Sequence, residues 1–210
     1  MGKERIIFAL LCGLLVLSVG CFDIRQPTKK IEFYSLEYAP PKVAALPQIP
    51  AVVRIERFNV APPYNTNRIF YRDSLLTRNE YVYYKWRSTP GELIAHFLGR
   101  DMRQSGLFKA VIPSESRIAS SHMIEGSVEE FLEWDTLEDW KAILSISVTL
   151  LEENQPDITR RVLFQKAYST EKICAQKNPQ ALAAAMSRAM SELSELVITD
   201  IYESLRYVTR

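Results

Sequence analysis

HMIEGSVEEFLEW at residues 122–134 and WKAILSISVTLLE at residues 140–152 decide the fold of this chain. Apolar and polar residues alternate along both stretches, which is typical of strands with one buried face. A third alternating stretch covers residues 158–173, and short polar turns near 135–138 and 154–157 separate the three. Long strands joined by short connections predict an antiparallel meander.

The two faces of the strand at 122–134 carry different side chains. The apolar face has Ile124, Val128, Leu132 and Trp134, and the polar face has Glu125, Glu129 and Glu133. We interpret the glutamates as an exposed acidic face, because a spacing of four places them on one side of a strand. The alternative is a set of carboxylates for acid/base chemistry.

The chain before the meander predicts further strands and one helix. Strands are expected where β-branched and aromatic residues are dense, at 31–38, 51–58, 68–72, 79–86 and 107–112. Those at 68–72 and 79–86 flank a polar segment and predict a hairpin. The sequence TPGE at 89–92 is a capping box with proline in the first turn, and apolar residues then recur at helical spacing until Gly106.

A long second helix is predicted after the meander. Asn178 and Pro179 start it, and its apolar stripe consists of Leu182, Ala185, Met186, Ala189, Leu193, Val197, Ile201 and Leu205. Two helices packed on one face of a mostly antiparallel sheet give a two-layer α+β fold, which we expect over residues 31–210 as a single domain. The other face of the sheet is expected to be solvated or to meet a partner.

The N-terminus predicts export and lipidation. Residues 1–5 are charged and 6–17 are apolar, which is the pattern of an export signal and is too short to span a bilayer. The signal ends in LSVGC, which resembles a bacterial lipobox, although Ser18 stands where leucine is usual. We therefore predict a signal peptide at 1–20, lipidation of Cys21 and a polar tether at 21–30. The alternative is an ordinary cleaved signal with an incidental cysteine.

Composition and motifs argue against catalysis. Removal of residues 1–20 leaves no net charge, which does not suit nucleic-acid binding. None of the seven glycines fits GxxxxGK[ST] or GxGxxG, and the only histidines, His96 and His122, belong to no HExxH motif. We expect no metal, no cofactor and no catalytic residue. Cys174 has no disulfide partner and is expected to be a small buried residue.

Aromatic residues are concentrated between residues 64 and 86. Because their large apolar bodies and polar tips suit interfaces, we predict partner-binding residues among them, namely Tyr64, Tyr71, Tyr81, Tyr83 and Trp86. On the strand at 79–86, Val82, Tyr84 and Trp86 share one face and Tyr81, Tyr83 and Lys85 share the other. We expect Tyr81 and Tyr83 to face outward.

Five stretches are similar to those of one family. They are FYSLEY at 33–38, VVRIERFNVAPPYN at 52–65, IFYR at 69–72, YYKW at 83–86 and GLFKAV at 106–111. With the lipobox cysteine, they make the mature chain resemble the ABC-type transport auxiliary lipoproteins that accompany MCE lipid-transport systems. The resemblance implies a non-catalytic accessory subunit that works with a periplasmic MCE protein, a permease and an ATPase, and possible contact with phospholipid.

The sequence leaves other functions and the choice of membrane open. A structural lipoprotein that supports assembly of outer-membrane barrels or lipopolysaccharide is one alternative. An anchored periplasmic hydrolase, with a serine, a histidine and an acid that meet only in space, is another. The chain is expected on the periplasmic side of the envelope. Phe22 follows the cysteine and Asp23 comes one position later, which favours the outer membrane over the inner.

Overall fold

The structure is a computed structural model that describes Gly2 and residues 29–208, with side chains to residue 206. The chain divides into two units, Met1–Lys30 and Ile31–Arg210. The predicted signal peptide, Cys21 and most of the predicted tether lie outside the described residues. Within residues 29–208, no helix has both the length and the apolar character needed to cross a membrane.

The second unit contains nine strands and three α-helices among its described residues. The elements, in chain order, are β1 (Glu32–Tyr34), β2 (Ile49–Ile55), β3 (Asn59–Val60), a 3₁₀ turn (Pro62–Tyr64), β4 (Arg68–Arg72), β5 (Asn79–Trp86), α1 (Pro90–Ser105), β6 (Phe108–Pro113), β7 (His122–Asp135), β8 (Trp140–Glu152), α2 (Ile158–Arg161), β9 (Val162–Ile173) and α3 (Pro179–Val208).

Strand β7 is the centre of one nine-stranded sheet. One edge of β7 pairs along its whole length with β8, which pairs in turn with β9, and both pairings are antiparallel. The other edge of β7 pairs with β2, β3 and β4, which lie end to end and all run parallel to it. Beyond these short strands, β6 is parallel to β2, β5 is antiparallel to β4, and β1 is parallel to β5.

The α+β fold is confirmed, and so is the antiparallel meander of β7, β8 and β9. The expectation of a mostly antiparallel sheet is wrong, because the sheet is mixed: β2, β3 and β4 all run parallel to β7. Alternation along a strand reveals that one face is buried, and it carries no information about the direction of the neighbouring strand. The predicted hairpin of β4 and β5 is present.

Helix α1 begins and ends where the sequence predicts. The backbone N–H of Thr89 donates to Oε2 of Glu92 at 3.3 Å, which completes one half of the capping box. Gly106 ends the helix with a φ of 68°, a left-handed conformation that favours glycine. The predicted apolar residues of this helix are buried in the core.

Helix α3 covers β8 and β9 and also contacts α1, so both main helices lie on one face of the sheet. Asn178 caps it, since its Oδ1 accepts the N–H of Ala181 at 2.8 Å. Every residue of the predicted apolar stripe is buried. The stretch predicted as a strand from residue 158 begins instead with the single helical turn α2, and β9 starts at Val162.

Candidate functional site

A β-bulge divides β7 into two halves. Side chains that strict alternation would place on one face of the sheet lie on the other face in the second half. Val128 pairs with Ile146 and Glu130 pairs with Ser145, so Glu129 is an extra residue on the β7 side. Because side chains alternate with a period of two, every residue after the bulge lies on the face opposite to the one that alternation predicts. The faces predicted from alternation therefore hold in the first half of β7 and are reversed in the second half.

The bulge brings Glu133 into the core. Phe131, two residues before it, packs with the helices, whereas Leu132 belongs to a small cluster on the other face with Tyr64 and Ile143. Glu133 is 0% exposed. The expectation that Glu133 shares an exposed face with Glu125 and Glu129 is therefore wrong, and so is the expectation that Leu132 shares the face of Ile124.

Two further polar side chains complete what we term the Glu133 cluster, which consists of Glu133, Tyr81 and Cys174. The hydroxyl of Tyr81 donates to Oε1 of Glu133 at 2.9 Å, and Oε2 of Glu133 is buried without a hydrogen-bond partner in the described part of the chain. Burial raises the pKa of Glu133 to about 7. Burial, together with the charge of Glu133, raises the pKa of the Cys174 thiol to about 11.

Two of the predicted partner-binding aromatics are inaccessible. Tyr64 is 4% exposed and Trp86 is 1% exposed. Trp86 packs edge-on against Phe131 with ring centroids 5.0 Å apart, and Tyr64 packs against Phe70 at 5.6 Å. Both are core residues, so the prediction that they contact a partner is wrong on the grounds of burial.

The remaining predicted aromatics lie along β5 and its neighbour β4. The pairing of these strands is irregular between Arg68 and Phe70, and strict alternation of β5 is lost. As a result Tyr81 turns inward, where it packs against Tyr71 at 4.8 Å and bonds Glu133, which contradicts the expectation that it faces outward. Tyr83 is exposed, as expected. Tyr71 is half-buried.

Among the described residues, neither histidine belongs to a serine–histidine–acid arrangement. His96 lies on the exposed face of α1. Nδ1 of His122 is 2.9 Å from Oγ of Ser121, but its Nε2 is buried and has no partner within residues 29–208, so no carboxylate orients the ring. Ser121 Oγ also accepts the N–H of Val52 at 3.0 Å, which is a structural bond. No group of three or more His, Cys, Asp or Glu residues in this range could hold a metal ion.

A groove of about 560 Å³ lies between α1 and the ends of β2 and β6, and we name it the α1–β6 groove. Its apolar residues are Ile55, Ala95, Val111, Ile112 and Pro113, and its charged or polar residues are Arg57, Glu92, His96, Arg103, Ser114 and Glu115. Arg57 and Glu115 form an exposed ion pair at 3.6 Å. The groove thus combines an apolar interior with charges of both signs.

The wall of the groove formed by residues 113–115 continues into a loop that is held in place by Arg54. The guanidinium of Arg54 donates to the carbonyl oxygens of Ser116 at 2.8 Å and Ile118 at 2.6 Å, and to Oγ of Ser120 at 3.0 Å. Hydrogen bonds from a charged donor are about twice as strong as neutral ones, so this loop has a defined position beside β6.

Comparison with protein families gives one decisive match. The model of the ABC-type transport auxiliary lipoprotein component family matches residues 34–197. The chain belongs to this family. The match spans β1 to α3 and thus nearly the whole of the second unit. No curated protein matches the chain.

Solved structures share the fold of this auxiliary lipoprotein component. Protein XCC0632 from Xanthomonas campestris has a TM-score of 0.76 at 16% identity, covering 85% of this chain and 98% of that one. The hypothetical protein CT253 from Chlamydia trachomatis has a TM-score of 0.50 at 10% identity, covering 75% of this chain and 98% of that one. At these identities the likeness concerns the fold.

Two features of this auxiliary lipoprotein component were missed by sequence reasoning. The Glu133 cluster had a weak sequence signal, since Glu129 and Glu130 are adjacent polar residues that interrupt the alternation between Val128 and Phe131. No sequence signal indicated the α1–β6 groove, because its residues come from three segments whose proximity depends on the parallel pairing of β2 with β6.

Proposed function

We propose that this lipoprotein component is a non-catalytic accessory subunit of an MCE/ABC-type phospholipid transport system, acylated at Cys21 and held on the periplasmic side of the envelope. The observation that carries the proposal is the family match over residues 34–197. The signal-like residues 1–20 and the LSVGC stretch of the sequence support the anchor.

In this proposal the partner proteins supply energy and the lipid path, and this subunit supplies a contact surface. The sequence has no phosphate-binding glycine motif, so the nucleotide is hydrolysed by the partner ATPase. The MCE protein is the partner in the periplasm. Phe22 after the cysteine supports an anchor in the outer membrane, from which the subunit reaches across to the MCE protein.

The α1–β6 groove is the surface on which we expect the MCE protein to bind. Among the described strands, β6 pairs with β2 alone, so its second edge offers backbone groups to an added strand. The groove is lined by Val111, Ile112 and Pro113 of this strand, and its apolar interior near Ala95 and Val111 suits alternate side chains of an extended segment. Its rim has both Arg57 and Glu115, so we expect a segment with polar rather than strongly charged flanks.

Affinity purification from detergent-solubilised envelopes tests this function. A tagged lipoprotein should recover the MCE protein, the permease and the ATPase of one system, identified by mass spectrometry. Recovery of a β-barrel or a lipopolysaccharide assembly factor in their place would favour the structural alternative. Density-gradient separation of the two membranes tests the outer-membrane location in the same preparation.

A matched pair of variants tests the groove. Ala95→Trp fills it, and we expect recovery of the MCE protein to fall by about tenfold, which corresponds to about 1.4 kcal/mol of binding free energy. Ala184→Trp places the same ring on an exposed position of α3 outside the groove and should leave recovery unchanged. Equal recovery with both variants would exclude the groove as the contact surface.

A further inference from the structure

Two loops lie at the same end of the sheet. Arg72 at the end of β4 pairs with Trp134 near the end of β7, and the two strands are parallel. The loop that follows β4, residues 73–78, and the turn that follows β7, residues 136–139, therefore emerge side by side. We name these two loops together the leucine end.

The leucine end exposes three large apolar side chains. Leu75 is 73% exposed, Leu76 is 95% exposed and Leu137 is 103% exposed. Single exposed leucines are common, but three on adjacent loops form an apolar tip of the kind that marks a contact with a membrane or a partner.

Several polar groups of the two loops are bonded within the loops. In the first, Oγ1 of Thr77 donates to Oδ1 of Asp73 at 2.6 Å. In the second, the N–H of Thr136 donates to the carbonyl of Asp139 at 2.8 Å, and the N–H of Asp139 donates to Oγ1 of Thr136 at 2.9 Å. These bonds offset part of the cost of moving the loop tips out of water, and the leucines lie at those tips.

Strand β1 runs in the direction that leads away from the leucine end. β5 runs away from the 73–78 loop, and β1 is parallel to β5, with Glu32 opposite Tyr84. Glu32 is therefore level with the sixth residue of β5, which lies about 17 Å along that strand from its start at Asn79. Cys21 precedes Glu32 by eleven positions, which can span at most about 40 Å when extended. The tether is therefore long enough for the leucine end to reach the membrane that holds the anchor.

We propose that Leu75, Leu76 and Leu137 insert into the interfacial region of the membrane that carries the lipid anchor. The inference rests on the anchor at Cys21, which belongs to the proposed function. The turn carries Glu138 and Asp139, and the adjacent Asp135 pairs with Lys177 at 3.7 Å, so the tip keeps an excess of acidic side chains and the lipid surface is one of zwitterionic phospholipid. Anchor and loops together fix the orientation of the domain.

This orientation directs the α1–β6 groove away from the membrane. Ile55, which lines the groove, pairs with Ile124 near the start of β7, whereas the leucine end follows its last residue, Asp135. The two positions are eleven residues of strand apart, or about 36 Å. The groove then faces the periplasm, where it can contact an MCE protein.

A pair of fluorescent probes tests the inference on the full lipidated protein. An environment-sensitive fluorophore is attached to Leu76→Cys, or to Ile158→Cys on an exposed residue of α2 at the opposite end of the sheet. Cys174 is buried and its thiol has a raised pKa, so the introduced cysteine is labelled selectively. The protein is placed in vesicles of phosphatidylcholine and phosphatidylethanolamine that contain a spin-labelled lipid.

We expect lipid quenching of the Leu76 probe to exceed that of the Ile158 probe by at least threefold. Equal quenching at both positions, or none at residue 76 in protein that floats with the vesicles, would overturn the insertion and leave the anchor intact. Protein that does not float with the vesicles would overturn the anchor and this inference together. A Leu75→Ser, Leu137→Ser background should reduce quenching at residue 76, and unchanged quenching there would also count against insertion.

Discussion

The hydroxyl of Tyr81 donates a hydrogen bond to Glu133 at 2.9 Å across an intervening strand, because Tyr81 lies on β5, Glu133 lies on β7 and β4 pairs with both. The bond joins the aromatic segment of the N-terminal half to the C-terminal meander. Buried carboxyl groups of this kind make stability depend on pH, since burial disfavours the charged form.

Glu133→Gln should remove a pH dependence of stability. The pKa of Glu133 in the folded protein is raised to about 7, so the unfolded chain loses its proton first as pH rises. Stability that is present at pH 4 is therefore lost between about pH 4.5 and pH 7, by up to about 3 kcal/mol. Urea unfolding of wild type and variant at pH 5 and pH 8 measures the difference. Glu125→Gln, on an exposed residue, is the control and should keep the wild-type dependence.

Tyr81→Phe should destabilise the protein by about 1–3 kcal/mol at pH 8, because the ionised Glu133 loses its hydrogen bond inside the core. At pH 5 the carboxyl is protonated and the loss should be smaller. Tyr83→Phe changes an exposed tyrosine on the same strand and should alter the free energy of unfolding by less than about 0.5 kcal/mol. A loss for Tyr81→Phe that does not vary with pH would contradict the assigned role of the hydroxyl.

Gly126→Ala and Gly99→Ala should have opposite effects. A Cβ on Gly126 would lie 2.6 Å from Cδ1 of Phe58, whose ring is buried, so we expect a loss of about 1–3 kcal/mol. A Cβ on Gly99 would meet only the flexible end of Arg103 at 3.3 Å and the Ile55 side chain at 3.5 Å. Because alanine favours a helix over glycine, this variant should gain up to about 1 kcal/mol. Thermal unfolding followed by circular dichroism compares the two.

Cys21→Ser should abolish acylation and leave the folded domain unchanged. Incorporation of a fatty-acid analogue measures the first effect, and Cys174→Ser should not reduce it. To measure release, residues 1–20 of the Cys21→Ser variant are replaced by an ordinary cleaved export signal, since a retained signal would itself hold the protein at the membrane, and the wild-type chain keeps its own signal as the acylated reference. A Cys21→Ser domain that still sediments with membranes after this exchange would show that protein contacts provide the attachment.

The sequence predicted elements well and their arrangement only in part. The two long helices, α1 and α3, were predicted because capping residues such as Thr89 and Asn178 act locally, within one turn of the helix start. The direction of β2 relative to β7 was not predictable, since it depends on a connection that passes through β3, β4, β5, α1 and β6. The same holds for the α1–β6 groove.

The wrong prediction that the carboxyl of Glu133 faces solvent has a more specific cause. Strict alternation along β7 assigns Glu133 to the solvent, and one extra residue at Glu129 reverses this assignment for everything that follows. A bulge depends on what the partner strand can accommodate, here Ser145 and Ile146 of β8, so the sequence of β7 alone indicates it only by the two adjacent glutamates.

The three short strands that share one edge of β7 have a consequence for the order of folding. β1, β5 and β4 can pair among themselves, and β2 can pair with β6, but among the described strands only β7 joins these two groups. β7 is later in the chain than all of them, so a polypeptide that folds from its N-terminal end holds two incomplete sheets with unpaired edges until residues 122–135 are available. During that interval a slow arrival of β7 would favour aggregation over completion of the domain.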